Sequence, residues 1–319
     1  FYWQLEFSEA RESEKNLASQ LRSELEQSVG NCLSGQPTCT FLSGGLDSST
    51  VTGIYQAFSE KPVDAYVIGF DAEGFDEMPF ARSSAHHFGV TLHEYYVTPQ
   101  DVLDAIPLIS EAYDEPFGNA SAIPTYYCAR FAREQGKNVL LAGDGGDEIF
   151  AGNARYAKQK AFNLYQHIPS ILKSTLIEPA ASALPPLKKL KSYIEQAKIP
   201  MPERMETYNF LHRSALSEIF NKEFLGQVDP DLPLRLLKQQ YDRTDVSTSL
   251  VKKMLFLDHK FTLADNDLRK VNRMCELAGI DVRYPLLQES MMAFASRIPS
   301  DMLMKRFELR SFYRHAMKG

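Results

Sequence analysis

Leu17, Leu21, Leu25 and Val29 recur at a spacing of four, with charged and polar residues between them. That period puts them on one stripe, and it predicts an amphipathic helix over residues 8–29. Downstream, short β-prone runs alternate with longer helical periods. TCTFL (38–42), VDAYVIGF (63–70), TLHEYYV (91–97) and KNVLLAG (137–143) read as strands. Helical periodicity fills the intervals 47–60, 76–88, 99–113 and 121–136. Strands alternating with helices of this length predict a doubly wound α/β fold around a parallel sheet. Beyond about residue 150 no strand pattern stands out. Segments 156–176, 203–221 and 247–260 keep a helical period, with proline breaks in ASALPPLKKLKSY and IPMPER. The chain therefore divides into a linker and leading helix (1–37), an α/β core (38–150) and a helical region (151–319) expected to pack on the core and close its site. No internal repeat or low-complexity segment interrupts it.

Composition narrows the class. With 319 residues, 44% hydrophobic and 24% charged, the chain can bury one large core or two smaller ones. A net charge of -6, with both signs interspersed, argues against a general nucleic-acid or membrane-surface binder. There is no run of roughly 18 uninterrupted apolar residues, so no membrane span is expected. The N-terminus lacks the basic-then-apolar order of a signal peptide. Cys32, Cys39, Cys128 and Cys275 form no C-x-x-C pair, and buried free thiols are expected rather than disulfides or zinc ligands. These features predict a cytoplasmic location.

Two glycine-rich stretches change the picture. FLSGGLDSST (41–50) and LLAGDGGDEIFAGNARY (140–156) each follow a predicted strand and precede a predicted helix. In parallel α/β sheets, ligands sit beyond the carboxyl ends of the strands. Glycines let the backbone turn sharply and approach a ligand, and the free N–H groups of the following helix favour an anion. Ser43, Ser48 and Ser49 add hydroxyl donors. As bare structure, the first stretch would be a Gly-Gly turn with Asp47 capping the helix, and the second a solvated acidic turn. Neither G-x-x-x-x-G-K-[ST] nor G-x-G-x-x-G occurs, which excludes the Walker and Rossmann loops. Asp144, Asp147 and Glu148 share one turn and would repel each other unless something positive sat among them. Magnesium, which prefers oxygen ligands and phosphates, suits that place.

S-G-G-x-D-S-S after a strand resembles the pyrophosphate loop of the ATP pyrophosphatase (PP-loop) class. Those enzymes split ATP between its α- and β-phosphates and adenylate an acid or amide oxygen. A third stretch, DHKFTLADNDLRKVNRMCELAGIDVRYPLL (258–287), mixes Arg269, Lys270 and Arg273 with Asp265, Asp267 and Asp281. In this order the three stretches resemble the synthetase domain of glutamine-dependent asparagine synthetases, from about residue 38 to the end. That family reads S-G-G-L-D-S-S, then G-[DE]-G-x-D-E-x-F-x-G-Y-x-R-Y, then an acidic-basic helix followed by E-x-R-x-P-F-L-D.

The resemblance implies a PP-loop, adenine nucleotide alpha hydrolase-like core that uses ATP and Mg2+. Aspartate's side-chain carboxylate would attack the α-phosphate, and ammonia would then displace AMP. By position, Ser43, Gly44, Gly45, Asp47, Ser48 and Ser49 would cradle the pyrophosphate portion, with Asp47 and Asp147 holding magnesium. Leu42, Ile68, Ala142 and Gly143 would line the adenosine pocket. Asp144 occupies the acidic position used in forming the acyl-adenylate, and Arg310 stands where the family has a phosphate-contacting lysine. Asp144, Asp147, Glu148 and Arg310 are thus the catalytic candidates.

The sequence also departs from the family. Asn272 replaces its Asp, Asp281 its Glu and Gln288 its final Asp. The acceptor is therefore aspartate by resemblance, or another carboxylate in a specialised pathway (amidotransferase or cyclising synthetase). Outside the enzymes, the alternative is a degenerate nucleotide-binding protein. A tRNA-thiolating enzyme would need a paired cysteine motif and a basic RNA surface. The opening FYW resembles the linker that follows the family's glutaminase domain, so a fragment of a longer protein is expected, with ammonia supplied by the absent half. The expected partners are ATP, the carboxylate, that ammonia and a second copy in a homodimer, with neither nucleic acid nor membrane.

Overall fold

The computed structural model describes residues 5–70, 77–179, 188–206, 214–245 and 247–318. The opening FYW and residues 181–187 of the proline-rich run lie outside them. The chain divides into two compact units. One comprises Phe1–Phe150, Asp258–Leu303 and Arg310–Gly319, and the other Ala151–Leu257 and Met304–Leu309.

The first unit is built on a parallel sheet of β1 (Thr38–Phe41), β2 (Asp64–Phe70), β3 (Thr91–Val97), β4 (Val139–Leu141) and β5 (Asp281–Arg283), in the order β3-β2-β1-β4-β5. The four strands read from the sequence are all present. Val139, Leu140 and Leu141 are wholly buried, as a central parallel strand requires. Thr40 also lies in the core, and Thr52 Oγ1 donates to its hydroxyl at 2.9 Å, so the buried oxygen is satisfied. The order runs one way from β1 to β2 and β3, and the other way to β4 and β5. Between β1 and β4 lies the switch point where such sheets open a crevice.

Helices of this unit include α1 (Glu14–Cys32), α2 (Leu46–Ala57), α3 (Met78–Phe88), α4 (Pro99–Ala112), α5 (Ala122–Glu134), α6 (Gly146–Phe150), α7 (Leu268–Ala278), α8 (Glu289–Arg297) and α9 (Ser311–Ala316). Ser13 caps α1 by accepting from the Asn16 N–H at 3.3 Å. Leu17, Leu21, Leu25 and Val29 are fully buried, about 1.5–3 kcal/mol each by transfer. They pack α1 toward α8, α9 and α2. One face of the sheet meets α5 and α7 through Cys39, Tyr66 and Leu140 against Cys128, Ala129, Val271 and Cys275. Another cluster packs Leu42, Ala65 and Val67 against Met78, Ala81 and Ala85 of α3. All four cysteines are buried and free.

The sequence pattern assigns 151–319 to one helical region. In the structure, 258–303 and 310–319 cluster with the sheet instead, and β5 is a strand the periodicity does not contain. Only Val282 is apolar within Asp281–Arg283, and the two flanking charges pair with each other at 3.0 Å. Three residues are too few for an alternating signal. Pairing with β4 makes this strand, and it carries α7 to the sheet. A π-helical stretch, Asp258–Asp267, leads into α7.

The second unit is helical among its described residues, with Ala154–Gln166, Lys188–Lys198, Leu232–Asp242 and Leu250–Leu257 as its longer helices. Arg204 is fully buried there. Its Nε donates to Gln159 Oε1 at 2.5 Å and its Nη1 to Ala197 O at 3.3 Å, with the guanidinium 5.3 Å from the Phe162 ring centre. No helix among the described residues is long and apolar enough to cross a membrane.

Candidate functional site

The loop after β1 turns back on itself through serine hydroxyls. Ser43 N–H donates to Ser48 Oγ at 3.3 Å, and Gly45 N–H to Ser43 Oγ at 3.3 Å. Ser48 Oγ in turn donates to Gly45 O at 3.2 Å. Gly44 is left-handed, φ +77°, and a Cβ there would stand 2.6 Å from Ala81 N, so only glycine fits. Helix α2 begins at Leu46 with Gly45 as its N-cap and no side-chain cap. Asp47 therefore does not cap the helix. The N–H groups of Leu46, Asp47 and Ser48 make no hydrogen bond among the described residues, which leaves a helix start able to receive an anion. Ser49 turns away, its Oγ donating to Ser84 Oγ of α3 at 3.1 Å.

The loop after β4 lies directly against this turn. A Cβ on Gly143 would stand 2.7 Å from Ser48 N, and one on Gly146 2.2 Å from Asp47 Cγ. The two strand-end loops thus touch backbone to backbone, with glycine the residue that permits it.

The positive group among the carboxylates is Arg310, the residue preceding α9. Its Nη1 donates to Asp47 Oδ1 at 2.7 Å and its Nη2 to Asp147 Oδ1. Burial, with Asp147 and Asp144 nearby, pushes the Asp47 carboxyl up to about 7 against the pull of Arg310. Burial also raises Asp144, and Lys270 on α7 opposes that rise. Lys270 reaches in with its side chain only 13% exposed, its Nζ 3.6 Å from Asp267 Oδ1. Glu148 is buried behind the loop, and burial together with Asp147 pushes it up to about 8.

Asp47, Asp144, Asp147, Lys270 and Arg310 border a cleft of about 560 Å³. Of the residues expected at a nucleotide site, Leu42, Ser43, Gly45, Asp47, Ser48, Ile68, Gly143, Asp144, Asp147 and Arg310 line it. Gly44, Ser49, Ala142 and Glu148 do not: Gly44 backs onto α3, Ser49 bonds to α3, and Ala142 and Glu148 are buried. Tyr66, Val67, Phe70, Pro124, Cys128 and Val271 give the cleft an apolar side. Ser121 and Thr125 of the α5 start, Glu77 and Lys270 complete the wall. Lys270 escapes a reading of the sequence as one charge on a charged helix. The available signal was its place next to the apolar stripe of Val271, Met274 and Cys275.

No three His, Cys, Asp or Glu side chains gather as a metal centre among the described residues. Asp47 and Asp147 still fit a magnesium ion that arrives with phosphates, because such an ion takes one or two carboxylates and fills its other positions with phosphate oxygens and water. Each gives Oδ1 to Arg310, and neither Oδ2 bonds to protein among the described residues.

Residues 20–319 match the family model for asparagine synthase. The chain is 27% identical over 319 residues to asparagine synthetase [glutamine-hydrolyzing] 1 of Bacillus subtilis (strain 168), covering 100% of this chain and 49% of that protein. It is 31% identical over 157 residues to asparagine synthetase B [glutamine-hydrolyzing] of Escherichia coli (strain K12), covering 44% of this chain and 28% of the relative. The chain thus spans about half the length of the Bacillus relative. Among solved structures, NMN synthetase from Francisella tularensis overlaps 63% of this chain and 95% of its own, with a TM-score of 0.31 and 15% identity.

Proposed function

This chain belongs to the asparagine synthase family, and from that premise we propose that it is an ATP-dependent, amide-forming synthetase whose adenylating centre is the cleft between the β1 and β4 loops. The observation that carries the reading is the uncapped start of α2, three free N–H groups facing a cleft that also holds two cations and three aspartates. Charge neutralisation and positioning are what phosphoryl and adenylyl transfer need most.

In this reading the Leu46, Asp47 and Ser48 N–H groups bind the β- and γ-phosphates, and the ring system lies on the apolar side with Ile68 and Tyr66. A carboxylate oxygen of the acceptor attacks the α-phosphorus, the bond from that phosphorus to the bridging oxygen breaks, and pyrophosphate leaves with the electron pair. Ammonia then attacks the acyl carbon, and AMP departs as the C–O bond breaks. Lys270 is assigned to offset charge on the α-phosphate, and Arg310 to clamp the departing pyrophosphate. Asp144, held beside Lys270, orients the acceptor and the incoming amine. Asp47 and Asp147 would hold magnesium, which when bound supplies further neutralisation of the phosphates. Glu148, lying outside the cleft, supports the loop. Aspartate is the proposed acceptor and glutamine-derived ammonia the proposed nitrogen source. Asn272, Asp281 and Gln288 all lie outside the cleft lining, so these departures leave the nucleotide half of the reading untouched.

The test is acid-dependent exchange of labelled pyrophosphate into ATP, run with aspartate and a panel of other carboxylic acids, followed by ammonium chloride and detection of the amide. Exchange with at least one acid, and AMP rather than ADP as product, is expected. ADP and inorganic phosphate in place of AMP and pyrophosphate would end the adenylation reading.

A further inference from the structure

Arg310 does more in this structure than wait for a phosphate. Its planar fork spans two carboxylates that come from different strand ends, Asp47 on α2 and Asp147 on α6. The Arg310 and Asp47 side chains are 17% and 15% exposed, so this is not a surface pair that solvent would screen away. Asp147 is more open, its side chain 42% exposed, so without a cation the cost falls mainly on Asp47, through its desolvation and the repulsion of its neighbour.

We propose that Arg310 is a built-in counter-cation. In the nucleotide-free protein its guanidinium holds the place between Asp47 and Asp147 that a divalent ion takes in the loaded site. Free metal is thereby refused, and the ion enters only together with nucleotide phosphates. The inference rests on the assignment of those two carboxylates to magnesium.

The chemistry of exchange supports it. A guanidinium cannot leave by losing its proton, so it leaves the carboxylates only when another anion accepts it. Phosphate oxygens do so with the same bidentate geometry. When nucleotide and metal arrive together, the carboxylates trade guanidinium for metal and the guanidinium trades carboxylate for phosphate, so every charge stays matched. Metal alone offers Arg310 no new partner. The anchor of the side chain is also fixed. Tyr313, one turn along α9, stacks on Phe150 at the end of α6, with ring centres 4.4 Å apart and planes 6° from parallel. Both rings are fully buried. The backbone that carries Arg310 is thus packed onto the helix that carries Asp147, which leaves the arginine side chain as the part free to exchange partners.

The experiment is a titration with Mn2+, following free ion by electron paramagnetic resonance, for the parent, Arg310→Met and Asp147→Asn, each with and without α,β-methylene-ATP. The parent should bind Mn2+ weakly alone and tightly with the analogue. Arg310→Met should bind it at least about tenfold more tightly than the parent without nucleotide, and its melting temperature should rise with Mn2+ where the parent's does not. Arg310→Lys, which replaces the planar fork with one ammonium on a shorter reach, should gain part of that affinity, and it serves if the methionine variant melts without cooperativity. Equal nucleotide-free Mn2+ binding by the parent and both Arg310 variants would overturn the counter-cation, provided that Asp147→Asn still weakens binding with the analogue. If Asp147→Asn leaves analogue-dependent binding unchanged, the carboxylate assignment fails, and the counter-cation fails with it.

Discussion

At the scale of single residues, the site depends on what glycine leaves out. Gly146→Ala would place a methyl group 2.2 Å from Asp47 Cγ and force that carboxylate away from Arg310. Displacement of about 1 Å at such a centre costs on the order of 10²-fold in rate. Pyrophosphate release by Gly146→Ala should fall to that degree while the protein stays folded. Gly118→Ala, with nothing within 4 Å of its Cβ, should match the parent in rate and in stability to about 0.5 kcal/mol. Equal rates for the two variants would contradict the close approach. Lys270→Met removes one of the cleft's two cations, and loss of one such charge-stabilising group should slow acid-dependent exchange by about 10²–10³-fold. An unchanged rate would place Lys270 outside the chemistry. Most of the glycine-loop residues that border the cleft could be named from their spacing in the sequence, but so could Gly44, Ser49, Ala142 and Glu148, which lie off it. Lys270 could not. A lysine in a charged helix reads as solvated until the fold shows what it is packed against.

Elements were legible in proportion to their length and distance from tertiary constraint. The seven-residue runs of β2 and β3 alternate or stay apolar long enough to be recognised, and β1 and β4 sit directly before their glycine loops. β5, at three residues, exists only because β4 offers it an edge. The π-helical stretch Asp258–Asp267 was invisible for a related reason: its sequence keeps a helical period, and the wider turn is a matter of packing. That stretch carries a pH response. His259 Nδ1 is buried without a hydrogen-bond partner among the described residues, and burial, with Lys260 beside it, lowers the imidazole to about 4. The folded protein therefore keeps this imidazole neutral, while the unfolded chain protonates it below about 6.5. Stability from this group is complete above pH 6.5 and drains away as pH falls toward 4, by roughly 3 kcal/mol in all. Urea midpoints measured from pH 7 to pH 4 should fall for the parent and fall less for His259→Gln. Parallel curves would show that His259 is not the group responsible.

For the molecule as a whole, the contacts form two units, each with its own buried interior. Arg204 sits in an apparent proline break in the sequence, yet it is wholly buried in the helical unit, where it ties Gln159 to the Ala197 carbonyl. Arg204→Met should cost that unit about 1–3 kcal/mol through the groups left unsatisfied. Amide exchange should accelerate in 154–166 and 188–198 and stay unchanged in β1 and β4. Acceleration spread evenly over both units would mean that they open together. The division between units was only partly readable, since 258–303 and 310–319 return to the sheet through pairing and packing rather than through any local period. The same long return governs how the cleft comes into being. β1 pairs with β4, Thr38 opposite Val139, across an intervening stretch that already contains two complete strands. Closing a loop of that length is slow compared with forming a helix or joining neighbouring strands. A growing or refolding chain should therefore form its serine-glycine turn before β4 completes the cleft proposed for nucleotide. A ligand of that cleft would then favour the last step of assembly rather than the first.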